Sequence, residues 1–283
     1  MRSVFILLLG TILLLGCSPE TSKEEDAPVG DWRHHGGNHN SDKYAPLDQI
    51  KGSNFSELEV AWRYRSPDLD LPEDLAYPTG DYRAVPLVVN GTMYVNSNHG
   101  LISALDSATG EELWVFDPKS YELGPPLFSP LQTRGIEYWT DGEIERIFIA
   151  TSGKQLVSVD IQTGQPDPNF GNDGYVDLKQ NFGRLEFEMN NITHGAPPIA
   201  VGSTVIVGSK IYDFSMINRS PPGHVRAYDA YTGDFKWRFN TIPQGGEFGN
   251  ETWENDSWRV TGNTNVWTYM SADEEAGIVY LPT

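Results

Sequence analysis

Ala104-Leu105-Asp106-Ser107-Ala108-Thr109-Gly110, running on to Trp114, is a phrase this chain repeats. It returns as Ser158-Val159-Asp160-Ile161-Gln162-Thr163-Gly164, and again as Ala227-Tyr228-Asp229-Ala230-Tyr231-Thr232-Gly233, running on to Trp237. Each copy reads as strand, tight turn, strand. An apolar alternating run ends in Asp, whose carboxylate can accept a bond from the turn backbone, and Thr-Gly supplies a position for positive φ. The three Asp residues, 106, 160 and 229, lie 54 and 69 positions apart. A spacing above about 40 residues fits one four-stranded propeller blade with an inserted loop. The phrase therefore predicts an all-β chain, a β-propeller.

The strands around the repeats agree. Pro86 to Asn96 is a hairpin with Asn90-Gly91 as its two-residue turn. Pro198 to Gly208 repeats that pattern, and Leu58 to Tyr64, Arg146 to Thr151 and Gly277 to Pro282 read as further strands. No amphipathic helical period stands out, which argues against α/β folds. About four blades fit between residues 55 and 283. A propeller must close to hide its edge strands, and a strand falls directly before Thr283, so the reading favours the front part of a larger ring.

The chain has 283 residues, 28 Gly, 19 Pro, 8 Trp and 12% aromatic residues, enough for a sizeable core of short strands and turns. Its net charge is −19 and no run is rich in Lys or Arg. Nucleic acid is therefore excluded as a partner, because phosphate binding needs clustered positive charge.

At the amino terminus, Arg2 precedes an apolar run from Val4 to Leu15, too short to span a bilayer and the right length for a secretory core. It ends in Leu14-Leu15-Gly16-Cys17, which resembles the lipobox of bacterial lipoproteins, and a polar stretch follows. Residues 1–16 are thus expected to be a signal peptide and 17–30 a lipidated Cys17 with a flexible tether. The folded domain is expected over 31–283. Cys17 is the one cysteine, so no disulfide can form within the chain. The resemblance implies a bacterial periplasmic protein, lipid-anchored to the membrane. Ser18 beside the Cys favours the outer one.

Three further segments carry a family resemblance. Asp31-Trp32, Gly36-Gly37 and Tyr44-Ala45-Pro46-Leu47 with Gln49-Ile50 resemble the opening of the quinoprotein dehydrogenases. Arg134-Gly135-Ile136-Glu137-Tyr138-Trp139 is similar to that family's Arg-Gly-x-x-Tyr-Trp segment, and Gly262-Asn263-Thr264-Asn265-Val266-Trp267 to its cofactor floor. The family consists of eight-bladed propellers that bind pyrroloquinoline quinone (PQQ) and a divalent metal, calcium or magnesium. The likeness is greatest to the glucose-dehydrogenase-like branch.

The resemblance implies a cofactor site. PQQ is a flat tricarboxylated o-quinone, so it needs an aromatic face and donors or cations for its carboxylates. Trp267 matches the stacking Trp, against the plainer reading of a blade-packing Trp such as Trp114 or Trp237. Arg134 matches the Arg near the quinone oxygens, against a solvated loop Arg. Thr193 and Ser209 fall where the family contacts the cofactor. His194 is either a further donor or a structural His. Asp213 lands at or beside the metal carboxylate, or merely caps a turn; hard oxygen is what calcium prefers. Arg83 stands where relatives often carry Glu. Leu127-Phe128-Ser129-Pro130 lacks the adjacent cysteines of some alcohol dehydrogenases. The catalytic base is expected beyond residue 283.

Two functions follow. One is an enzyme that oxidises an alcohol or aldose by hydride transfer to metal-activated PQQ and hands electrons to a quinone or cytochrome. The alternative is a non-enzymatic propeller lipoprotein scaffold of outer-membrane protein assembly. A propeller alone does not choose between them.

Overall fold

A computed structural model describes residues 28–283 apart from 76, 129, 184–186, 188 and 213–219. The signal peptide, Cys17 and the metal candidate Asp213 lie outside the described residues.

Three four-stranded antiparallel sheets follow one another along the chain. The first joins β1 (Leu87–Val89), β2 (Thr92–Asn96), β3 (Ile102–Asp106) and β4 (Glu112–Phe116). The second joins β5 (Glu137–Thr140), β6 (Glu145–Ala150), β7 (Gln155–Asp160) and β8 (Tyr175–Asp177). Next come β9 (Ile192–Thr193), β10 (Ile199–Val201), β11 (Thr204–Val207), β12 (Lys210–Ile211), β13 (Val225–Asp229) and β14 (Phe235–Phe239). Of these, β10, β11, β13 and β14 make the third sheet, while β9 pairs with β12 as a small ladder beside it. A hairpin of β15 (Ser271–Asp273) and β16 (Ile278–Tyr280) follows. The helical segments among the described residues are short 3₁₀ turns. The described residues thus hold three four-stranded sheets, the β9–β12 ladder and the β15–β16 hairpin.

The repeat phrase folds as its chemistry requires. Asp106 Oδ1 accepts from Ala108 N (3.0 Å), Thr109 N (2.8 Å) and Thr109 Oγ1 (2.9 Å). Asp160 and Asp229 repeat the pattern in the next two sheets. The glycine that follows takes φ of 73°, 66° or 74°, and its N–H closes the turn on the Asp carbonyl. Asn90 and Gly91 both have positive φ, as a two-residue hairpin turn demands.

Sheets stack face to face because alternate residues point to opposite sides. Ile147 and Ile149 join Leu87, Ile102 and Val159 in the core between the first and second sheets. Phe148 and Ala150, on the other face of β6, join Val205, Val207 and Tyr228 between the second and third. A third core unites Ile199, Ile206 and Ala227 with Val266, Met270 and Ala272. A strand buried on both faces reads as a continuous apolar run, which is why Ile147-Phe148-Ile149-Ala150 does not alternate. Each buried Ile or Phe of this run contributes about 1.5–3 kcal/mol by leaving water.

The tryptophans differ from one another. Trp114 lies across Gly164 of the next sheet, and its Nε1 donates to Ile161 O at 3.1 Å. Trp62 sits likewise over Gly110, donating to Ser107 O at 3.2 Å. Trp237, expected to pack between blades, is instead 42% exposed. No further Asp-x-x-Thr-Gly turn follows it in residues 238–283 to receive it. The segment from Leu58 to Tyr64 alternates as a strand would, yet it pairs with no strand among the described residues. It reaches the first sheet through side chains: Trp62 as above, and Tyr64, whose hydroxyl bonds Ser103 Oγ and Glu112 Oε2.

Buried arginines add polar ties. Arg146 of β6 ion-pairs with Asp167 and donates to the Ala230 and Tyr231 carbonyls of the third sheet. Arg226 of β13, fully buried, donates to Leu178 O (2.6 Å) and Gln180 O (2.8 Å) of the second.

Candidate functional site

Arg134 stands in the loop that enters β5, anchored by its own N–H on Gly195 O at 2.7 Å. Two residues before Gly195 is Thr193, which pairs with Lys210 across the β9–β12 ladder. Lys210 follows Ser209, whose carbonyl accepts from Asn265 Nδ2 at 2.7 Å. Asn265 precedes Val266, and Val266 O lies so near Gly208 that a Cβ there would fall 2.2 Å from it. The next residue, Trp267, carries the Arg134 guanidinium over its ring at 4.8 Å. The circuit closes through Tyr269, whose hydroxyl lies within hydrogen-bond distance of two carbonyls, Arg83 O (2.8 Å) and Arg134 O (3.0 Å), and shares its single proton between them. Arg134, Thr193, Ser209, Trp267 and Arg83, scattered over 185 positions of sequence, are therefore tied into one neighbourhood.

The chemistry there is cationic and partly unsatisfied. Burial holds the Arg134 guanidinium below its ordinary pKa; the Tyr269 hydroxyl works against this and the Arg83 charge adds to it. Two mutually repelling cations favour an anion between them. Lys210 Nζ lies 4.0 Å over the Phe128 ring, bringing a third cation to the same ladder. Ser209 is 2% exposed, and its Oγ is buried with no hydrogen-bond partner among the described residues. A buried hydroxyl left unbonded costs about 1–3 kcal/mol unless a ligand meets it. Trp267 keeps 47% of its surface exposed, so a face is open for stacking. This donor set, an aromatic face with guanidinium and hydroxyls, fits a flat polyanion.

Not every expected residue arrives with a free hand. The Thr193 hydroxyl donates to Ser152 O at 3.1 Å and would have to turn to donate to an anion. Arg83 directs its guanidinium to Asp81 Oδ2 at 3.3 Å, and its carbonyl is what joins the circuit. His194 Nε2 meets Arg226 Nη2 at 3.2 Å in the interior, while its Nδ1 is buried with no hydrogen-bond partner among the described residues. Sequence reasoning gave no role to Tyr269, Lys210 or Phe128, although Phe128 lies in the segment read for its lack of cysteines.

With this geometry in place, residues 32–283 match the family described as glucose/ethanol/alcohol dehydrogenase, beta-propeller domain. The chain belongs to the quinoprotein dehydrogenase family. It is 29% identical over 284 residues to quinoprotein glucose dehydrogenase A of Acinetobacter calcoaceticus, covering 94% of this chain and 34% of that protein. To the alcohol dehydrogenase (quinone) dehydrogenase subunit of Gluconobacter oxydans it is 30% identical, covering 92% and 33%. The quinohemoprotein alcohol dehydrogenase ADHIIG of Pseudomonas putida superposes with TM-score 0.70 at 25% identity, over 89% of this chain and 34% of that one. The chain therefore spans about a third of the length of these quinoprotein relatives. As a quinoprotein propeller, its three sheets agree with the expected fold.

Proposed function

We propose that the protein oxidises the CH–OH group of an alcohol or an aldose with PQQ as its cofactor. The observation that carries this is the Arg134 guanidinium stacked on half-exposed Trp267, on the ring of contacts that includes the unbonded Ser209 hydroxyl. The relatives, named as dehydrogenases of glucose and alcohols, support the substrate class.

When bound, PQQ supplies an o-quinone that accepts two electrons from the substrate carbon. The residues of this chain would hold and orient it. Trp267 offers its open face. Arg134, kept in place by its backbone bond to Gly195 and by Tyr269, offers a charge-assisted donor for a carboxylate or a quinone oxygen. Ser209 offers a hydroxyl whose hydrogen-bonding capacity is unused, and Thr193 offers its own after release from Ser152 O. A divalent ion, calcium or magnesium, would be held with Asp213 among its oxygen ligands. The base that takes the hydroxyl proton is assigned to no residue of this chain. Electrons would pass to a quinone or cytochrome acceptor. Export, and lipidation of Cys17 as an outer-membrane tether, complete the proposal. A scaffold role leaves the Ser209 hydroxyl and the Arg134–Trp267 pair without a task.

Reconstitution tests the reading. Purified protein is titrated with PQQ, with calcium and with chelator, and dye-linked oxidation of glucose and of ethanol is followed. Saturable PQQ binding that needs the divalent ion is expected. Absence of PQQ binding under both conditions would overturn the reading, and metal-independent activity would remove Asp213 from it.

A further inference from the structure

Away from the cofactor neighbourhood, the segment that opens the fold brings two histidines against a buried carboxylate of the second sheet. His34 Nδ1 lies 3.1 Å and His39 Nε2 3.3 Å from the same oxygen, Glu137 Oε1. All three residues are buried, and one ligand atom from each falls within 4.8 Å of the others. The opposite nitrogen of the second ring, His39 Nδ1, meets Glu274 Oε1 at 3.1 Å. A neutral imidazole has one N–H for these two carboxylate contacts. His39 Nε2 is within hydrogen-bond reach of Glu137 Oε1, whereas His39 Nδ1 lies beside Glu274 Oε1 without hydrogen-bond geometry. A cation held by His34, His39 and Glu137 would neutralise this buried carboxylate.

Geometry and donor type say which cation. Tetrahedral zinc with ligands at about 2.0–2.1 Å places neighbouring ligand atoms about 3.3 Å apart, close to the 3.1 and 3.3 Å that separate the two histidines from Glu137 Oε1. Two imidazoles with one carboxylate suit zinc and its first-row neighbours, whereas calcium asks for six or more oxygens. A carboxylate beside the far nitrogen of a ligating histidine, as Glu274 Oε1 lies 3.1 Å from His39 Nδ1, is the usual outer support of such a ligand. The same residues, with Asn38, Ile199 and Met270, line a cavity of about 10 Å³.

We propose that His34, His39 and Glu137 form a binding site for a zinc-class divalent ion, with Glu274 as the residue that positions the His39 ring. The ion ties the 34–39 segment to β5 and, through Glu274 and the Ala272 N–His39 O bond (2.9 Å), to the β15–β16 hairpin. It also steadies the neighbouring residue His35, whose ring stacks on Tyr269 at 4.1 Å. This site is independent of the PQQ proposal, since zinc alone is the probe.

The test is zinc titration of the chelator-stripped protein against a competing chromophoric chelator. One equivalent bound per chain is expected. Joint replacement by His34→Gln and His39→Gln should abolish that equivalent, and Glu274→Gln should weaken it about 10–100-fold. Zinc uptake that is substoichiometric, or unchanged in the double variant, overturns the proposal in favour of a protonated imidazole between two carboxylates. Should the double variant fail to fold, cobalt(II) added to the unaltered protein decides. Intense visible bands of a four-coordinate site support the assignment; the pale spectrum of hydrated cobalt contradicts it.

Discussion

Trp114 and Gly164, on different sheets, are made for each other: a Cβ on Gly164 would stand 2.6 Å from the Trp114 ring. The glycine has φ of +66°, so a side chain there is strained as well as crowded. Gly164→Ala should cost about 2–4 kcal/mol, combining overpacking with backbone strain. Gly202→Ala is the control. Its φ of +53° carries similar strain, but nothing lies within 4 Å, and its cost should stay near 1–2 kcal/mol. Urea melts of the two variants measure the difference. Equal losses would mean that Trp114 does not dock on this turn.

Ser209 gives a second expectation, because its buried hydroxyl is unbonded in the fold. Ser209→Ala removes an unsatisfied group, so the unliganded protein should melt at the same temperature or higher. The same change should weaken PQQ binding, by about tenfold for one lost hydrogen bond near 1.4 kcal/mol. Calorimetric melting with parallel titration reads both. A destabilised but normally binding variant would place the hydroxyl in the core's own network.

Acid sensitivity should trace to His194. Burial, with Arg226 and Lys154 nearby, holds its pKa well below the ordinary value. The ring is neutral in the folded protein, while the unfolded chain takes up a proton below about pH 6.5. Stability is therefore full above that pH and falls as pH drops through it, by up to about 1.4 kcal/mol per unit. His194→Gln keeps an acceptor for Arg226 and should flatten this slope between pH 6.5 and 5. Denaturant midpoints across that range check it; an unchanged slope would assign the sensitivity elsewhere.

The fold was largely legible because its decisive chemistry is local. Asp106, Asp160 and Asp229 each bond backbone within three residues, so the turn is written in consecutive letters. Trp237, 42% exposed, shows what the repeat leaves open: a tryptophan packs on a turn in another blade, and its own phrase does not specify that turn. Leu58 to Tyr64 alternates without a ladder partner, since alternation reports which side chains face a surface and not whether backbone pairs. The segments that resemble the family bring Arg134, Thr193, Ser209 and Trp267 into one neighbourhood. Tyr269 acts through two distant carbonyls and leaves no sequence pattern. The His34–His39–Glu137 cluster joins residues about a hundred positions apart; its one sequence trace is that three of the six histidines fall between 34 and 39.

Trp267 is the residue on which the cofactor assignment turns, so its replacement is the most direct measurement. PQQ is titrated with calcium into the unaltered protein and into Trp267→Ala, and both are melted without cofactor, with Trp114→Ala alongside. Trp267, nearly half exposed, should cost little stability when removed, whereas the packed Trp114 should cost up to about 3–5 kcal/mol. The account predicts that Trp267→Ala keeps its melting temperature and loses PQQ binding. Retained PQQ affinity, or destabilisation equal to that of Trp114→Ala, would contradict it and make Trp267 another packing residue.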